Sequence, residues 1–388
     1  MHIAWLGKKT PFCGNVTYGR EVTAALAARG YQVSFLHFAQ PEPGFEAESE
    51  FEETSAEFQE VPLPFLYKSQ IITIPSLRSG KVLFESLRQL RPDVVHASLT
   101  LSPLDFKLPE ICAALDIPLV ATFHPPFDRK RRNLTSNTQH LAYQVYAPSL
   151  ANFDRVIVFS YIQRDLLVRL GVPEGRVAVI PNGVDTAKYT PGLSNIKTEL
   201  DASTLFVYQG RLALEKNVES LLRAWRHVAL GNGAKLLMVG SGPLEASLKA
   251  FYGADSSIVW AGFVGDEERR IDILRGADVF ILPSLVEGLS LSLLEAMSCG
   301  LACLATDAGA DGEALADGAG VVLDTQRVTS QLKTLLPICH EHPEWTAILG
   351  QKARRRVLER YTLSQNITTL EELYHQVVAR PSVFVKSS

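Results

Sequence analysis

VFILPSLVEGLSLSLLEAMSCGLACLAT, residues 279–306, decides the fold. Val279, Phe280, Ile281 and Leu282 form a short apolar run that stops at Pro283 and Ser284, which predicts a buried strand ending there. Glu287 and Gly288 make the turn that follows. Helical spacing then resumes, with Leu291, Leu294 and Met297 on one stripe, until Gly300 closes the helix and a second apolar run begins. Two carboxylates, Glu287 and Glu295, thus stand eight residues apart, one on the turn and one about a turn and a half into the helix. Such a turn aims backbone N–H groups and the positive end of a helix dipole at the C-terminal edge of a strand, where open α/β sheets bind anions. A carboxylate at either end of that cradle suits a ligand whose hydroxyls flank a phosphate, which describes a nucleotide sugar. The competing reading is a surface strand-turn-helix with two solvated glutamates.

A chain of 388 residues exceeds the usual single domain, so two domains are expected. An apolar share of 46% and a charged share of 21% suit a soluble α/β enzyme. The five cysteines (Cys13, Cys112, Cys299, Cys303 and Cys339) are odd in number and show no C-x2-C pairing, which argues for a reducing compartment and against structural zinc. The chain opens on the strand-like HIAWLG and holds no apolar run of 18 residues. Neither a signal peptide nor a transmembrane helix is expected.

Apolar runs at residues 3–6, 33–38, 94–97, 119–123, 156–159 and 177–180 alternate with helical stripes such as Val22, Ala25, Leu26 before Gly30. A second array follows at 205–208, 236–239, 258–260, 279–282 and 302–305, with the stripe Val218, Leu221, Leu222, Trp225, Val228 between its first two runs. This alternation predicts two parallel sheets with helices on both faces. The expected class is α/β, two doubly wound Rossmann-like domains, 1–188 and 189–362, followed by a C-terminal helix within 363–388. The segment 189–195, YTPGLSN, reads as the linker, and the Glu-rich stretch 42–60 as a solvated loop.

A second constellation, QGRLALEKN at residues 209–217, follows a strand and precedes a helix. Arg211 and Lys216 therefore emerge at the ligand-facing edge, where a guanidinium and an ammonium can neutralise a leaving diphosphate in place of a metal. No Asp-x-Asp pair sits at a strand end, so no metal is expected. On position alone the two read as a pair of exposed cations at a helix start.

The spaced Glu287 and Glu295, with Arg211 and Lys216 upstream, resemble the Glu-x7-Glu signature of glycosyltransferase family 4, retaining enzymes of the two-domain GT-B fold. The resemblance covers nearly the whole chain. It implies two domains facing a central cleft, acceptor binding on the first, a nucleotide sugar on the second, and the C-terminal helix packed back on the first. It further implies that Glu287 contacts the donor sugar, Glu295 holds the ribose, and Arg211 and Lys216 bind the diphosphate. Gly288, Leu289 and Ser290 would line the donor turn, and Phe263 and Val264 would offer backbone groups to the base. A UDP-sugar is then the substrate and no cofactor is needed. The non-hydrolysing epimerases share this fold but lack the spaced glutamates.

In the first half, residues 10–15 (TPFCGN) join strand one to helix one, and Gly14 would let backbone approach a phosphate. The family carries two adjacent glycines here; this chain has Cys13 in place of the first. His124 ends the run 119–123. It reads as a hydrogen-bonded strand-end histidine or, by the resemblance, as a group that positions the reacting sugar. Asn182 and Asp185 read as turn residues.

The acceptor side points to a membrane. Arg129, Lys130, Arg131 and Arg132 follow His124 closely, and Lys8 and Lys9 occupy the first loop. Residues 1–190 hold 19 Lys and Arg against 19 Asp and Glu, but eight of those acids fall in 42–60, which leaves an excess of eight cations elsewhere. Phe65, Leu66 and Tyr67, with Ile71, Ile72 and Ile74 beyond, supply groups for an interface. A buried strand beside a solvated basic loop is the alternative. In the first half, GKKTPFCGNVTYGRE (residues 7–21) and LPFLYKSQ (residues 63–70) also resemble cyanobacterial digalactosyldiacylglycerol synthases. The expected activity is hexose transfer, galactose or glucose, from a UDP-sugar to a glycolipid by a cytoplasmic, peripheral membrane enzyme with no nucleic-acid partner. Transfer to a soluble acceptor, as in sucrose-phosphate synthesis, and a silent nucleotide-sugar-binding subunit remain open.

Overall fold

Val94–Ser98, the run VVHAS, is buried at every residue, the state of a strand covered by helices on both faces. The computed structural model describes residues 1–10, 14–39, 58–69, 72–99, 101–125, 134–231 and 233–379. In chain order the first half contains β1 (His2–Gly7), β2 (Gln32–Phe38), β3 (Gln59–Leu63), β4 (Phe65–Lys68), β5 (Thr73–Pro75), β6 (Val94–Ser98), β7 (Leu119–Thr122), β8 (Arg155–Val158) and β9 (Val177–Val179). Seven of them form a parallel sheet in the order β3-β2-β1-β6-β7-β8-β9, and β4 pairs antiparallel with β5 as a separate hairpin. The second half contributes β10 (Thr204–Gln209), β11 (Ala234–Val239), β12 (Ile258–Gly262), β13 (Val279–Leu282), β14 (Ala302–Thr306) and β15 (Val321–Leu323), ordered β12-β11-β10-β13-β14-β15. These pairs are parallel too.

Two compact units result. One comprises Met1–Pro125, Thr138–Pro181 and the C-terminal stretch from Asn366; the other is built on Asn182–Gln365. Each sheet reverses its strand order once, between β1 and β6 in the first unit and between β10 and β13 in the second. At such a switch point the loops leaving the two strands diverge and open a crevice at the strands' C-terminal ends. All the motif residues singled out between 209 and 217 and between 283 and 290 leave β10 and β13. The α/β class and the two parallel arrays are as the alternation predicts.

Some expectations need correction. β3 reads in the sequence as part of a solvated loop and an interface segment, yet it is the edge strand of the first sheet, a place where a proline such as Pro62 is tolerated. Its Glu60 pairs with Lys9 and with His37. Lys8 is buried and its Nζ donates to the Ser69 carbonyl at 3.3 Å. Neither first-loop lysine is therefore a spare surface cation. Residues 42–57, Cys13, Ile71 and the run Arg129, Lys130, Arg131, Arg132 lie outside the described residues. Residues 189–195, read as the linker, belong to the second unit, because Arg275 donates to the Thr190 carbonyl at 3.0 Å and Ser298 to that of Tyr189 at 2.5 Å. The units divide at Pro181 and Asn182 instead. The C-terminal helix Leu363–Val378 runs along the first unit from Asn366, where Arg29 reaches Thr368 (3.0 Å) and Glu371 (2.5 Å) and the Tyr374 hydroxyl meets His96 Nδ1 at 2.5 Å. Among the described residues no helix is long and apolar enough to cross a membrane.

Candidate active site

The second unit's switch point gathers the charged motifs. After β10 the chain makes a tight 3-10 turn, Leu214–Lys216, and enters the helix Val218–His227 through Asn217 in a left-handed conformation (φ 49°). After β13 it turns into the helix Leu291–Ser298, whose N-cap Ser290 accepts from the Leu293 amide at 3.4 Å. Two bonds stitch these loops together: the Leu285 amide donates to the Glu215 carbonyl (2.8 Å), and Asn217 Nδ2 donates to the Pro283 carbonyl (3.2 Å). Consequently Lys216 Nζ lies 2.6 Å from Glu287 Oε1, across 71 positions of sequence.

That ion pair is nearly removed from solvent. Burial works against the Lys216 ammonium, but the Glu287 carboxylate beside it holds its pKa above the usual lysine value. Arg211 stands at the same edge, with its guanidinium 39% exposed and 3.7 Å from Glu215. Glu295 is buried, and its Oε2 accepts from Gln209 Nε2 at 2.8 Å. Burial raises its carboxyl above the usual range. The Gln209 Oε1 atom has no partner among the described residues. Glu287, Glu295 and Lys216 thus come together with Arg211 around the ends of β10 and β13, as a mixed cation–carboxylate edge suited to a ligand carrying both phosphate and hydroxyls.

Sequence reasoning missed three supports of the donor turn. Asp311 is wholly buried; its Oδ1 accepts from the Ser290 amide at 2.9 Å and its Oδ2 finds no partner among the described residues. Burial first, and the Glu287 charge second, push its carboxyl well above the usual range. The Ala310 amide donates to the Gly288 carbonyl at 2.7 Å. Asn182, read as a turn residue, instead donates from Nδ2 to the Leu289 carbonyl at 2.7 Å. The two glycines Gly240 and Gly242 also have a packing reason: a Cβ at Gly240 would overlap the Gly210 carbonyl, and one at Gly242 would crowd the Leu212 backbone. Phe263 is half exposed beyond β12, and the Val264 carbonyl accepts from Arg270 at 3.1 Å.

In the first unit the switch point holds a different chemistry. Gly14 is the exposed first residue of the helix Gly14–Ala28, and among the described residues no atom beyond its chain neighbours and its own helix backbone lies within 4 Å of where its Cβ would be. His124 follows β7, with its Nε2 2.8 Å from Ser98 Oγ. Its ring stands edge-on to Tyr18 (centroids 5.0 Å apart) and tilted against Phe159 (5.3 Å). Burial, helped by the Lys8 charge, pulls its pKa down to about 3, so the ring is neutral at physiological pH. Leu66 and Tyr67 on the β4–β5 hairpin are 70% and 56% exposed. Phe65 is only partly exposed, and its ring lies 5.0 Å from Lys68 Nζ.

Residues 14–188 match the family model described as Glycosyltransferase Family 4, and residues 203–337 match that described as Glycosyl transferases group 1. The chain is 24% identical over 325 residues to the Escherichia coli UDP-Gal:alpha-D-GlcNAc-diphosphoundecaprenol alpha-1,3-galactosyltransferase, covering 79% of this chain and 81% of that one. Among solved structures it is similar to a sucrose-phosphate synthase from Thermosynechococcus elongatus, with a TM-score of 0.77 at 20% identity over 97% of this chain and 99% of that one. The Anabaena protein Alr3699/HepE in complex with UDP and glucose is similar at a TM-score of 0.77 and 16% identity, over 97% and 100%.

Proposed function

We propose a donor, an acceptor and a mechanism for this chain, which is a glycosyltransferase of the GT-B fold. The donor is a UDP-hexose, galactose or glucose, and the acceptor is a hydroxyl of a membrane glycolipid such as monogalactosyldiacylglycerol. The observation that carries the reading is the Lys216–Glu287 ion pair, 2.6 Å apart with Glu287 buried, and Arg211 at the same sheet edge. On this reading the two cations meet the diphosphate, Glu287 orients the donor sugar while balancing Lys216, and Glu295 holds the ribose. Gly288, Leu289 and Ser290 form the cradle, and Phe263 and Val264 flank the base. His124 positions the reacting sugar.

The reaction is retaining. The acceptor oxygen bonds to the anomeric carbon from the face that the diphosphate leaves, the carbon–phosphate-oxygen bond breaks, and the acceptor proton passes to a phosphate oxygen. Charge develops on the leaving diphosphate, which is where two fixed cations act most strongly. EDTA should therefore leave the rate within a factor of about two, because the protein supplies the countercharge a metal would bring. Strict recovery by Mg²⁺ or Mn²⁺ after chelation would overturn that part of the mechanism. The activity itself is tested by offering UDP-hexoses with lipid extracts or with sugar phosphates. Products confined to the sugar-phosphate arm would establish a soluble acceptor, and UDP binding without turnover in either arm would establish a silent binding subunit.

The lipid acceptor is supported by the Escherichia coli relative, whose acceptor is alpha-D-GlcNAc-diphosphoundecaprenol, and by the β4–β5 hairpin. Leu66, Tyr67, Ile72 and Ile74 stand exposed there and Leu77 just beyond, and residues 61–84 hold Arg78 and Lys81, besides a Lys68 that donates to Thr10 and to the Phe38 carbonyl, with no carboxylate. Apolar groups rimmed by cations suit an anionic lipid surface. Leu66→Asp with Tyr67→Asp should lower binding to anionic vesicles by about 10²-fold, since two apolar groups of roughly 1.5 kcal/mol each are lost. Vesicle co-sedimentation reads this directly. Unchanged partition would remove the hairpin from the membrane.

A further inference from the structure

The polar groups behind His124 determine which of its ring nitrogens carries the proton. Asn15 Nδ2 donates to the Leu99 carbonyl at 3.3 Å, so the amide is oriented with Oδ1 turned the other way. That Oδ1 accepts from Ser98 Oγ at 2.7 Å. An amide oxygen can only accept, so the single hydroxyl proton of Ser98 is committed to Asn15. The remaining contact of Ser98 Oγ, with His124 Nε2 at 2.8 Å, must then be a bond that the imidazole donates. Ser98 is fully buried and Asn15 is half-buried, so water does not readily replace either partner. Nδ1 has no hydrogen-bond partner among the described residues.

We propose that Asn15 and Ser98 are positioning residues that hold His124 as its Nε2–H tautomer, so that Nδ1 presents a lone pair which accepts from a sugar hydroxyl and turns away a carboxylate. Which nitrogen of a histidine is metallated, bonded or free is set by the bond the other nitrogen makes. The depressed His124 pKa agrees, because a neutral ring keeps the lone pair across the physiological range. The sugar-facing role rests on the reading of this chain as a hexosyltransferase; the tautomer does not. Asn15 and Ser98 come from opposite sides of the first unit's switch point, the start of the first helix and the end of β6. Asn15 and Ser98 are 83 positions apart, and Ser98 and His124 are 26 apart. Local sequence therefore carries no trace of the relay.

The test uses the whole protein labelled with ¹⁵N-histidine, and assigns His124 among the nine histidines by its disappearance in His124→Gln. Long-range ¹H–¹⁵N correlation should report protonated Nε2 and bare Nδ1 in the wild type and in Ser98→Thr, which keeps the hydroxyl. In Ser98→Ala and in Asn15→Ala the preference should be lost. Kinetically, Ser98→Ala should reduce kcat/KM for the UDP-hexose about tenfold while leaving that for the matching UDP-hexuronate unchanged or higher, because the freed ring can donate from Nδ1. A wild-type ring protonated at Nδ1, or a tautomer indifferent to both alanine variants, overturns the proposal without reference to any substrate. Equal losses on hexose and hexuronate overturn the specificity role. Absence of turnover with every UDP-sugar, with the tautomer as stated, counts against the hexosyltransferase reading and leaves the relay supported.

Discussion

Lys216→Ala and Arg211→Ala are each expected to lower kcat by 10²-fold or more, equivalent to about 2.7 kcal/mol of transition-state stabilisation. The two losses arise differently. Lys216 is held at 2.6 Å by Glu287 in a nearly buried pair, so its removal also strands a carboxylate, and breaking such a pair costs about 3–5 kcal/mol of stability. Arg211 is 39% exposed and only 3.7 Å from Glu215, an arrangement that contributes less than about 1 kcal/mol to folding. Arg211→Ala is therefore the cleaner probe: it should melt like the wild type while losing turnover. Lys216→Ala should lose both, and Lys216→Ala with Glu287→Gln should regain stability without activity. Because the charge on the diphosphate grows as the bond breaks, the Arg211 loss should appear in kcat more than in the affinity for UDP-sugar. If both single variants turn over within a factor of three of the wild type, these cations are not the diphosphate's counterions.

The fold was legible wherever an apolar run was long enough to fill a central strand. VFIL at Val279–Leu282, with Pro283 behind it, announces both the strand and its end. The strands that escaped notice are edge elements. β15 is three residues long, β3 carries Glu60 and Pro62, and the β4–β5 hairpin leaves Leu66, Tyr67 and Ile74 exposed. Edge strands need only one ladder partner and one covered face, so little hydrophobic pattern marks them. The candidate site divides in the same way. Glu287, Glu295, Arg211 and Lys216 announce themselves as charged residues just after buried strands. Gln209, Asp311, Asn182, Asn15 and Ser98 do not, because what each touches is set by the crossing of loops 21 to 107 positions apart. Lys8 and Lys9 illustrate the converse. As letters they are two spare cations; in the fold one is buried and the other is paired with Glu60.

Gly309 should prove as sensitive as the charged residues although it touches no ligand in this reading. It adopts φ +60°, and a Cβ there would overlap the carbonyl oxygens of both Glu287 and Gly288. The next residue, Ala310, donates to the Gly288 carbonyl at 2.7 Å, so the loop 308–311 is the mould against which the donor turn is pressed. Gly309→Ala must move one or the other. Displacement of a binding turn by about 1 Å is enough to reduce kcat/KM by about 10²-fold. The accompanying loss of stability should be about 2–4 kcal/mol, the sum of an unfavourable backbone conformation and the steric strain. Gly30→Ala separates these terms: Gly30 has φ +87° and, among the described residues, no atom beyond its chain neighbours within 4 Å of its Cβ position, so it carries the conformational cost without the clash. That variant should lose only about 1–2 kcal/mol and keep its kinetic constants. Thermal melting and kcat/KM for the two variants, measured side by side, decide the matter. Equal melting losses with unaltered kinetics in both would mean that the loop yields freely and that the turn bearing Glu287 is positioned by Asp311 and Asn182 alone.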